Sequence, residues 1–410
     1  MRNLSDLLAK IRGRSRLQES ALERALHARV ERPSVRALDR RARLVFDATN
    51  EGKFTVDLES GRAKLTRGAR GSADATITAD AATLAAILEG RVAGVQAFLE
   101  GRLFMRGNIA LALELDDLLE APMRHGPRVP RARRVVAGDV TTFYLEAGEP
   151  NRPTVVLIHG LGATGSSFLP TLWDLARDHR VIAVDVPGFG ESDKPIRPLH
   201  PAYFARWMQA FLDAIGVERA HFVGNSMGGR IALEIGLRAP ERTDRLVLLA
   251  PSLAWRRFRF AVGAVRLLRP ELALAPLWVE HRFVVGVLQS LFARPERIAR
   301  AALDAAADEF MRVFDSPRGR IAFFHAAREI YLEDPHGVRG FWDRLKRLER
   351  PALFIFGDRD WLVPHAFRRH VEQALPGARC ETFADCGHVP QFEFPDKTSE
   401  RIRAFLLEPP

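Results

Sequence analysis

Hydrophobic and polar positions divide the chain into two textures. In the first, Leu4, Leu7, Leu8 and Ile11 fall at helical spacing among Lys10, Arg12, Arg14 and Arg16. This spacing predicts a short amphipathic helix, which either lies on a membrane surface or packs on its own domain. A helical pattern over 34–48 is expected to run into the first strands. Residues 53–58 alternate as a strand, Glu59-Ser60-Gly61 makes a turn, and 62–66 returns. Residues 73–78 read as a third strand. Ala79-Asp80 opens a helix through Leu88, stopped by Gly90. A short helix over 95–99, a strand over 101–107 and a helix over 109–119 complete the pattern. Strands grouped before helices predict an α+β domain with an antiparallel sheet.

The stretch 121–134, APMRHGPRVPRARR, sets three prolines among basic residues and reads as a linker. Beyond it, short β-branched runs at 154–158, 181–184, 221–223, 245–249 and 352–356 alternate with helical patterns. That alternation predicts βαβ units and a parallel sheet. Between about 251 and 350 it stops. The segment there is helical in texture and rich in Phe, Leu, Val and Arg, as an insertion into the sheet domain would be. The expected organisation is therefore a domain over 1–120, a linker over 121–134, sheet core over 135–250 and 351–410, and an inserted segment over 251–350.

Composition changes this picture in two respects. The net charge of +10 is uneven. Residues 1–134 hold 25 Lys+Arg against 17 Asp+Glu, or +8, and the remaining residues hold 36 against 34, or +2. A basic face can attract nucleic acid or an anionic membrane, and an Arg-rich genome would give the same composition without either. No helix-turn-helix, zinc or aromatic-basic signature accompanies it, so no nucleic-acid partner is expected. The two cysteines, Cys380 and Cys386, offer neither a disulfide framework nor zinc spacing. No metal and no cofactor is expected, and a reducing compartment fits. The first twenty residues lack an apolar h-region and a small-residue cleavage site, so no secretory signal is expected. No apolar run reaches the ~18 residues of a membrane span.

The chemistry lies in the second part. His221-Phe222-Val223-Gly224-Asn225-Ser226-Met227-Gly228-Gly229 contains G-x-S-x-G between a strand and a helical run. In that setting the serine sits on a sharp turn above the sheet, and Gly224 and Gly228 leave room for the turn. Ser226 is the candidate nucleophile. A tetrahedral oxyanion needs two N–H donors. Met227, just after the nucleophile, would supply one, and Leu161, in Ile158-His159-Gly160-Leu161-Gly162, the other. Asp360 follows the run 352–356 in a G-x-x-D-x-x-V-P pattern and is the candidate acid, with Asp358 as competitor. His388, in Asp385-Cys386-Gly387-His388-Val389-Pro390, is the candidate base. Cys386 has no base of its own and reads as structural.

The order Ser226, Asp360, His388 is the α/β-hydrolase order. Residues 135–410 resemble the α/β-hydrolase superfamily throughout, including Asp185-Val186-Pro187-Gly188-Phe189-Gly190-Glu191-Ser192, which is similar to the family's D-x-x-G-x-G-x-S loop. The resemblance implies an α/β-hydrolase fold with a mostly parallel sheet, and makes 251–350 a helical cap over the active site. Serine at the nucleophile position disfavours haloalkane dehalogenase and epoxide hydrolase activity, which use Asp. Gly-Asn-Ser-Met-Gly-Gly resembles both monoacylglycerol-lipase-like esterases and meta-cleavage carbon–carbon bond hydrolases.

Residues near 34–120 resemble the sterol carrier protein type 2 domain. The carrying strings are 73–80, ADATITAD, then Ile87-Leu88-Glu89-Gly90 and 97–108, AFLEGRLFMRGN. The last is similar to the family's A-F-x-x-G-K-L-x-x-x-G-D, with Arg102 and Asn108 in place of Lys and Asp. This resemblance implies an α+β domain with an apolar tunnel for sterols, fatty acyl chains or acyl-CoA. The expected protein is a cytoplasmic serine hydrolase, peripheral at a membrane by transient contact, that cleaves a carboxylic ester of a lipid-like small molecule. Alternatives are carbon–carbon or thioester hydrolysis, and a lipid carrier with a vestigial hydrolase. Oligomeric state is left open.

Overall fold

The structure is a computed structural model that describes residues 19–31, 41–59, 62–114, 126–254 and 279–408, with the backbone alone at 330 and 331. The amphipathic pattern at 4–11, residues 34–40 of the first helical pattern and residues 121–125 of the linker lie outside them. The chain forms two compact units, one of residues 1–105 and 114–125, the other of residues 106–113 and 126–410.

The first unit begins with helix α1 (Ala21–Val30), whose N-cap Ser20 accepts the Glu23 N–H at 3.0 Å. A five-stranded sheet follows, ordered β3-β2-β1-β4-β5. Its strands are β1 (Ala42–Ala48), β2 (Gly52–Glu59), β3 (Arg62–Arg67), β4 (Ala75–Ala79) and β5 (Phe104–Gly107). Two expectations are corrected. Residues 42–48 are a strand, because Leu44, Phe46 and Ala48 bury alternate positions, whereas the Ala/Leu/Arg content of the stretch imitates a helix. The sheet is mixed: β1 pairs antiparallel with β2 and parallel with β4. Helices α2 (Ala81–Leu88) and α3 (Gly94–Leu99) supply Leu84, Leu88 and Val95 to the buried apolar positions. The strand expected over 101–107 begins only at Phe104, after a turn at Gly101 with φ 69°.

The second unit includes helix α4 (Ile109–Leu113) and an eight-stranded sheet ordered β13-β12-β11-β10-β8-β9-β7-β6. The strands are β6 (Arg131–Ala137), β7 (Val140–Ala147), β8 (Thr154–Ile158), β9 (Arg180–Val184), β10 (Ala220–Asn225), β11 (Thr243–Leu249), β12 (Ala352–Gly357) and β13 (Arg379–Phe383). From β13 to β9 all neighbours run parallel, and β7 and β6 add an antiparallel hairpin at the edge. The expected linker therefore ends earlier, because 131–134 begin the hairpin. Every residue of β8, TVVLI, is buried, as a strand covered on both faces requires. The covering helices are α5 (Leu169–Leu175), α6 (Pro201–Ala214) and α7 (Met227–Arg238).

Between β11 and β12 the described chain is helical: α8 (His281–Ser290), α9 (Arg300–Arg312), α10 (Pro317–Leu332) and α11 (Phe341–Leu345). Phe341, Trp342 and Leu345 join the main core, and the Trp342 indole N–H donates to the Ala254 carbonyl at 2.9 Å. After β12 come α12 (Phe367–Ala374), α13 (Pro390–Glu393) and α14 (Pro395–Leu406). Arg230 of α7 is buried, pairs with Glu234 at 2.9 Å and with Glu333, and lies over the Phe341 ring. Burial alone would raise the Glu234 carboxyl, but Arg230 and Arg344 overcome this and hold it at about 2.

Candidate active site

Ser226 stands between the end of β10 and the start of α7 with φ 54° and ψ −115°. Positive φ is costly for a non-glycine residue, so the surroundings must enforce it. They do so by close packing. A Cβ on Gly228 would lie 2.0 Å from the Ile158 carbonyl oxygen, and one on Gly224 would lie 2.3 Å from the Gly228 backbone. Both glycines of G-x-S-x-G are therefore required by contact between α7, β10 and the end of β8. The Ser226 N–H donates to Leu249 O at 2.9 Å, and its carbonyl accepts from Ser252 N–H at 2.9 Å and Arg230 N–H at 3.1 Å.

The His388 Nδ1 lies 2.8 Å from Asp360 Oδ2, and both side chains are buried. The other carboxylate oxygen, Oδ1, accepts the Leu362 and Val363 N–H groups at 2.8 and 2.9 Å. The Asp360 carboxylate is thereby fixed, and its Oδ2 is placed to accept an Nδ1–H from the imidazole. Asp358 instead accepts the Cys386 backbone N–H at 3.2 Å. The Asn225 amide, next to the serine, donates to Leu249 O at 3.0 Å and to His388 O at 3.1 Å, which brings the His388 loop to the elbow. Among the described residues the Ser226 hydroxyl has one hydrogen-bond partner, the Ser252 hydroxyl at 3.3 Å.

The glycine loop after β8 lies against the same turn: a Cβ on Gly160 would stand 3.5 Å from Ser226 Cβ. Leu161 is in the turn of this loop. Met227 is the first residue of α7, where backbone N–H groups lack intrahelical acceptors. His159 is buried between Val186, whose N–H donates to Nε2 at 3.1 Å, and Gly160, whose carbonyl lies 2.8 Å from Nδ1. Burial lowers its pKa to about 4, so the ring is neutral and braces the loop. Gly162 opposite faces the inserted helices, where a Cβ would meet Phe310 at 2.5 Å and Phe323 at 3.2 Å. Phe310, Phe314 and Phe323 pack ring to ring at 5.3–5.7 Å.

A model of the alpha/beta hydrolase fold family matches residues 153–272 and 320–395, and one of the SCP-2 sterol transfer family matches residues 21–120. The chain joins an SCP-2 sterol transfer domain to an α/β-hydrolase domain. An uncharacterized protein of Mycobacterium tuberculosis is 28% identical over 270 residues, which is 62% of this chain and 75% of that protein. A 2-hydroxy-6-oxononadienedioate/2-hydroxy-6-oxononatrienedioate hydrolase of Paraburkholderia phymatum is 29% identical, over 65% of this chain and 91% of its own. Among solved structures, a bacterial membrane phospholipase A described as a virulence factor matches with TM-score 0.59 and 25% identity, covering 77% of this chain and 93% of that one.

Part of the bracing around Ser226 was not read from the sequence. Asn225 lies within the quoted elbow string and Ser252 outside any motif, and the bonds of both reach loops distant in sequence. In the D-x-x-G-x-G-x-S loop, buried Asp185 accepts the Gly165 and Glu191 N–H groups at 2.7 and 2.8 Å, and burial pushes its pKa up to about 7. Gly190, at φ 53°, is needed there because a Cβ would lie 1.9 Å from the Asp185 carboxylate. Of the apolar residues of the inserted segment, Phe258, Phe260, Leu267, Leu268, Leu277 and Trp278 lie outside the described residues. Val284 and Val285 pack on Ala307 of the neighbouring helix, and Phe283 is exposed. Phe310 and Phe323 are the apolar side chains that meet the glycine loop at Gly162. Cys386 is fully buried, and burial pushes its thiol far above the ordinary range, consistent with a packing role. No described helix is long and apolar enough to cross a membrane.

Proposed function

We propose that this protein is a serine hydrolase that cleaves a carboxylic ester of a lipid-like substrate through an acyl-enzyme. The observation that carries the reading is the buried 2.8 Å contact between His388 and Asp360, on a loop fastened by Asn225 to the strained elbow of Ser226. Ser226 Oγ turns from Ser252 toward His388, attacks the ester carbonyl and gives its proton to His388 Nε2. Asp360 holds the Nδ1–H tautomer and stabilises the imidazolium. The oxyanion receives the N–H groups of Leu161 and Met227. Collapse expels the alcohol, which takes the proton from His388, and a water deprotonated by His388 then releases the acid. No metal or cofactor enters these steps. Phe310 and Phe323 offer an apolar surface for an acyl chain beside the glycine loop.

The SCP-2 domain supports lipid as the ligand class, and the likeness to a membrane phospholipase A supports a substrate drawn from a membrane surface. We assign the protein to the cytoplasm with transient membrane contact, the +8 charge of residues 1–134 supplying attraction to anionic lipid. A carbon–carbon bond hydrolase is the second reading, favoured by the 29% identity to the oxononadienedioate hydrolase. A fluorophosphonate probe should label wild-type protein and not Ser226→Ala. Assays on p-nitrophenyl esters from acetate to palmitate, monoacylglycerols and a meta-cleavage product then choose between the readings. Turnover of the meta-cleavage product alone overturns ester hydrolysis, and absence of labelling overturns the triad.

A further inference from the structure

The end of α8 and the connector that leads from it to α9 are seated on both loops that carry the acid and base of the proposed triad. On the acid side, the Trp361 indole N–H, adjacent to Asp360, donates to Ser290 O at 2.7 Å. On the base side, the His388 backbone N–H donates to Leu291 O at 2.7 Å. The packing there leaves no slack: a Cβ on Gly387 would lie 2.2 Å from Leu291 O and 2.8 Å from Phe292 Cα.

The joint is closed by one buried carboxylate. Glu393, at the end of α13, accepts the Gly387 N–H at 2.8 Å and the Ala293 N–H at 3.2 Å on Oε2, and the Arg294 N–H at 2.8 Å on Oε1. Two donors belong to the connector and the third to the residue before His388. Outside this joint, Asp385 of the base loop pairs with Arg294 at 3.1 Å and Arg297 at 2.6 Å. Three N–H groups converging on two oxygens require an acceptor at both positions. Glutamine offers one oxygen and sets its NH2 against at least one of the donors, which leaves buried groups unpaired.

We propose that Glu393 is a positioning residue for His388, which it holds in register with Asp360 by locking the base loop to the connector of the inserted helices. The proposal rests on the Ser226–His388–Asp360 reading. The connector thus makes placement of the inserted helices and placement of the base one event, and Trp361 supplies the matching seat on the acid loop.

The test uses the full chain with p-nitrophenyl butyrate as substrate and a fluorophosphonate to count active sites. In Glu393→Gln, kcat per titrated site should fall about tenfold or more while KM stays within about twofold, as expected for a base displaced by a fraction of an ångström. The downfield proton resonance of the His388 Nδ1–H should shift or broaden. A lowered Tm with unchanged kcat per titrated site and an unchanged resonance overturns the proposal. Where Glu393→Gln yields no folded protein, Trp361→Phe replaces it, since that side chain is exposed. A loss of about threefold or more per site at unchanged Tm supports the seat, and unchanged turnover overturns it. Wild-type protein that the probe does not label at Ser226 overturns the triad itself, a result distinct from a labelled wild type with a fully active variant.

Discussion

Asp360 Oδ2 faces His388 Nδ1 at 2.8 Å, whereas Asp358, two residues earlier, accepts the backbone N–H of Cys386 at 3.2 Å. The two carboxylates therefore have different partners, one an imidazole and one a backbone N–H, and the proposed triad gives only the first an electrostatic task. Asp360→Asn should lower kcat by about 10³–10⁴, because the amide cannot favour the Nδ1–H tautomer. Asp358→Asn keeps an acceptor oxygen and should cost less than about tenfold. Steady-state rates of both variants on one p-nitrophenyl ester, corrected for folded fraction, check the assignment; the reverse order would move the acid to Asp358.

Asn225 bridges Leu249 O and His388 O. Asn225→Ala leaves both carbonyls without this donor and should cost about 1–3 kcal/mol of stability. Asn225→Asp should be worse, since a carboxylate would face two carbonyl oxygens. Urea unfolding of the three proteins at neutral pH decides. An Asp variant as stable as wild type would mean that the amide does not hold the base loop.

Stability should depend on pH through buried groups. His159 and His221 each have a pKa lowered to about 4 by burial, and His179 is lowered in the same sense. Their unfolded forms take up protons first, so this stability is present above about 6.5 and is lost as pH falls toward 4. Asp185, raised to about 7 by burial, acts oppositely: its contribution is present below about 4 and is lost as pH rises through about 7. Between about 4 and 6.5 the histidines outnumber the aspartate, and stability should rise with pH. His159→Gln, which keeps a donor and an acceptor, should flatten that rise by about one proton, and Asp185→Asn should steepen it. Chemical unfolding at half-unit pH steps measures the slope; an Asp185→Asn variant with a shallower slope would contradict the sign.

Phe310 and Phe323 face the glycine loop across Gly162. If they hold an acyl chain, Phe323→Ala should lower kcat/KM for an octanoate ester about tenfold more than for acetate, since apolar contact is worth about 25 cal/mol per Å². Equal losses on both esters would mean that the ring only packs its neighbours.

Residues 106–113 belong to the second unit, where the Gly107 and Ile109 N–H groups donate to Asp308 and Glu309 at 2.9 and 3.0 Å. A chain lacking residues 1–105 keeps these bonds and should turn over short soluble esters at the full rate. If the SCP-2 domain gathers lipid, the same deletion should lower kcat/KM for a long-chain ester in anionic vesicles, and salt should narrow the full-length protein's advantage. A matching loss on both substrates would leave the domain a stabilising role only.

Much of this architecture was legible because it rests on local rules. The buried β-branched runs announced β8 to β12, and the glycines around Ser226 announced a turn that only small neighbours permit. The misread parts have competing physics. Residues 42–48 combine helix-forming residues with a two-residue alternation, and the sheet resolved the conflict in favour of the alternation. The edge hairpin of β6 and β7 was hidden in part because β6 sets arginines where a buried strand would show valine. Asn225, Ser252 and Glu393 act on partners up to about 160 residues away, and no spacing rule reaches that far.

The His388 loop also bears on when the protein can first act. A ribosome delivers Ser226 and its elbow well before Asp360, and His388 later still. The peptide N–H of His388 and the carboxylate of Glu393 then close onto a connector that has been waiting since Leu291 emerged. On the proposed triad, a nascent chain would build most of its sheet before either partner of Ser226 is in place, and activity would wait for the His388 loop to dock.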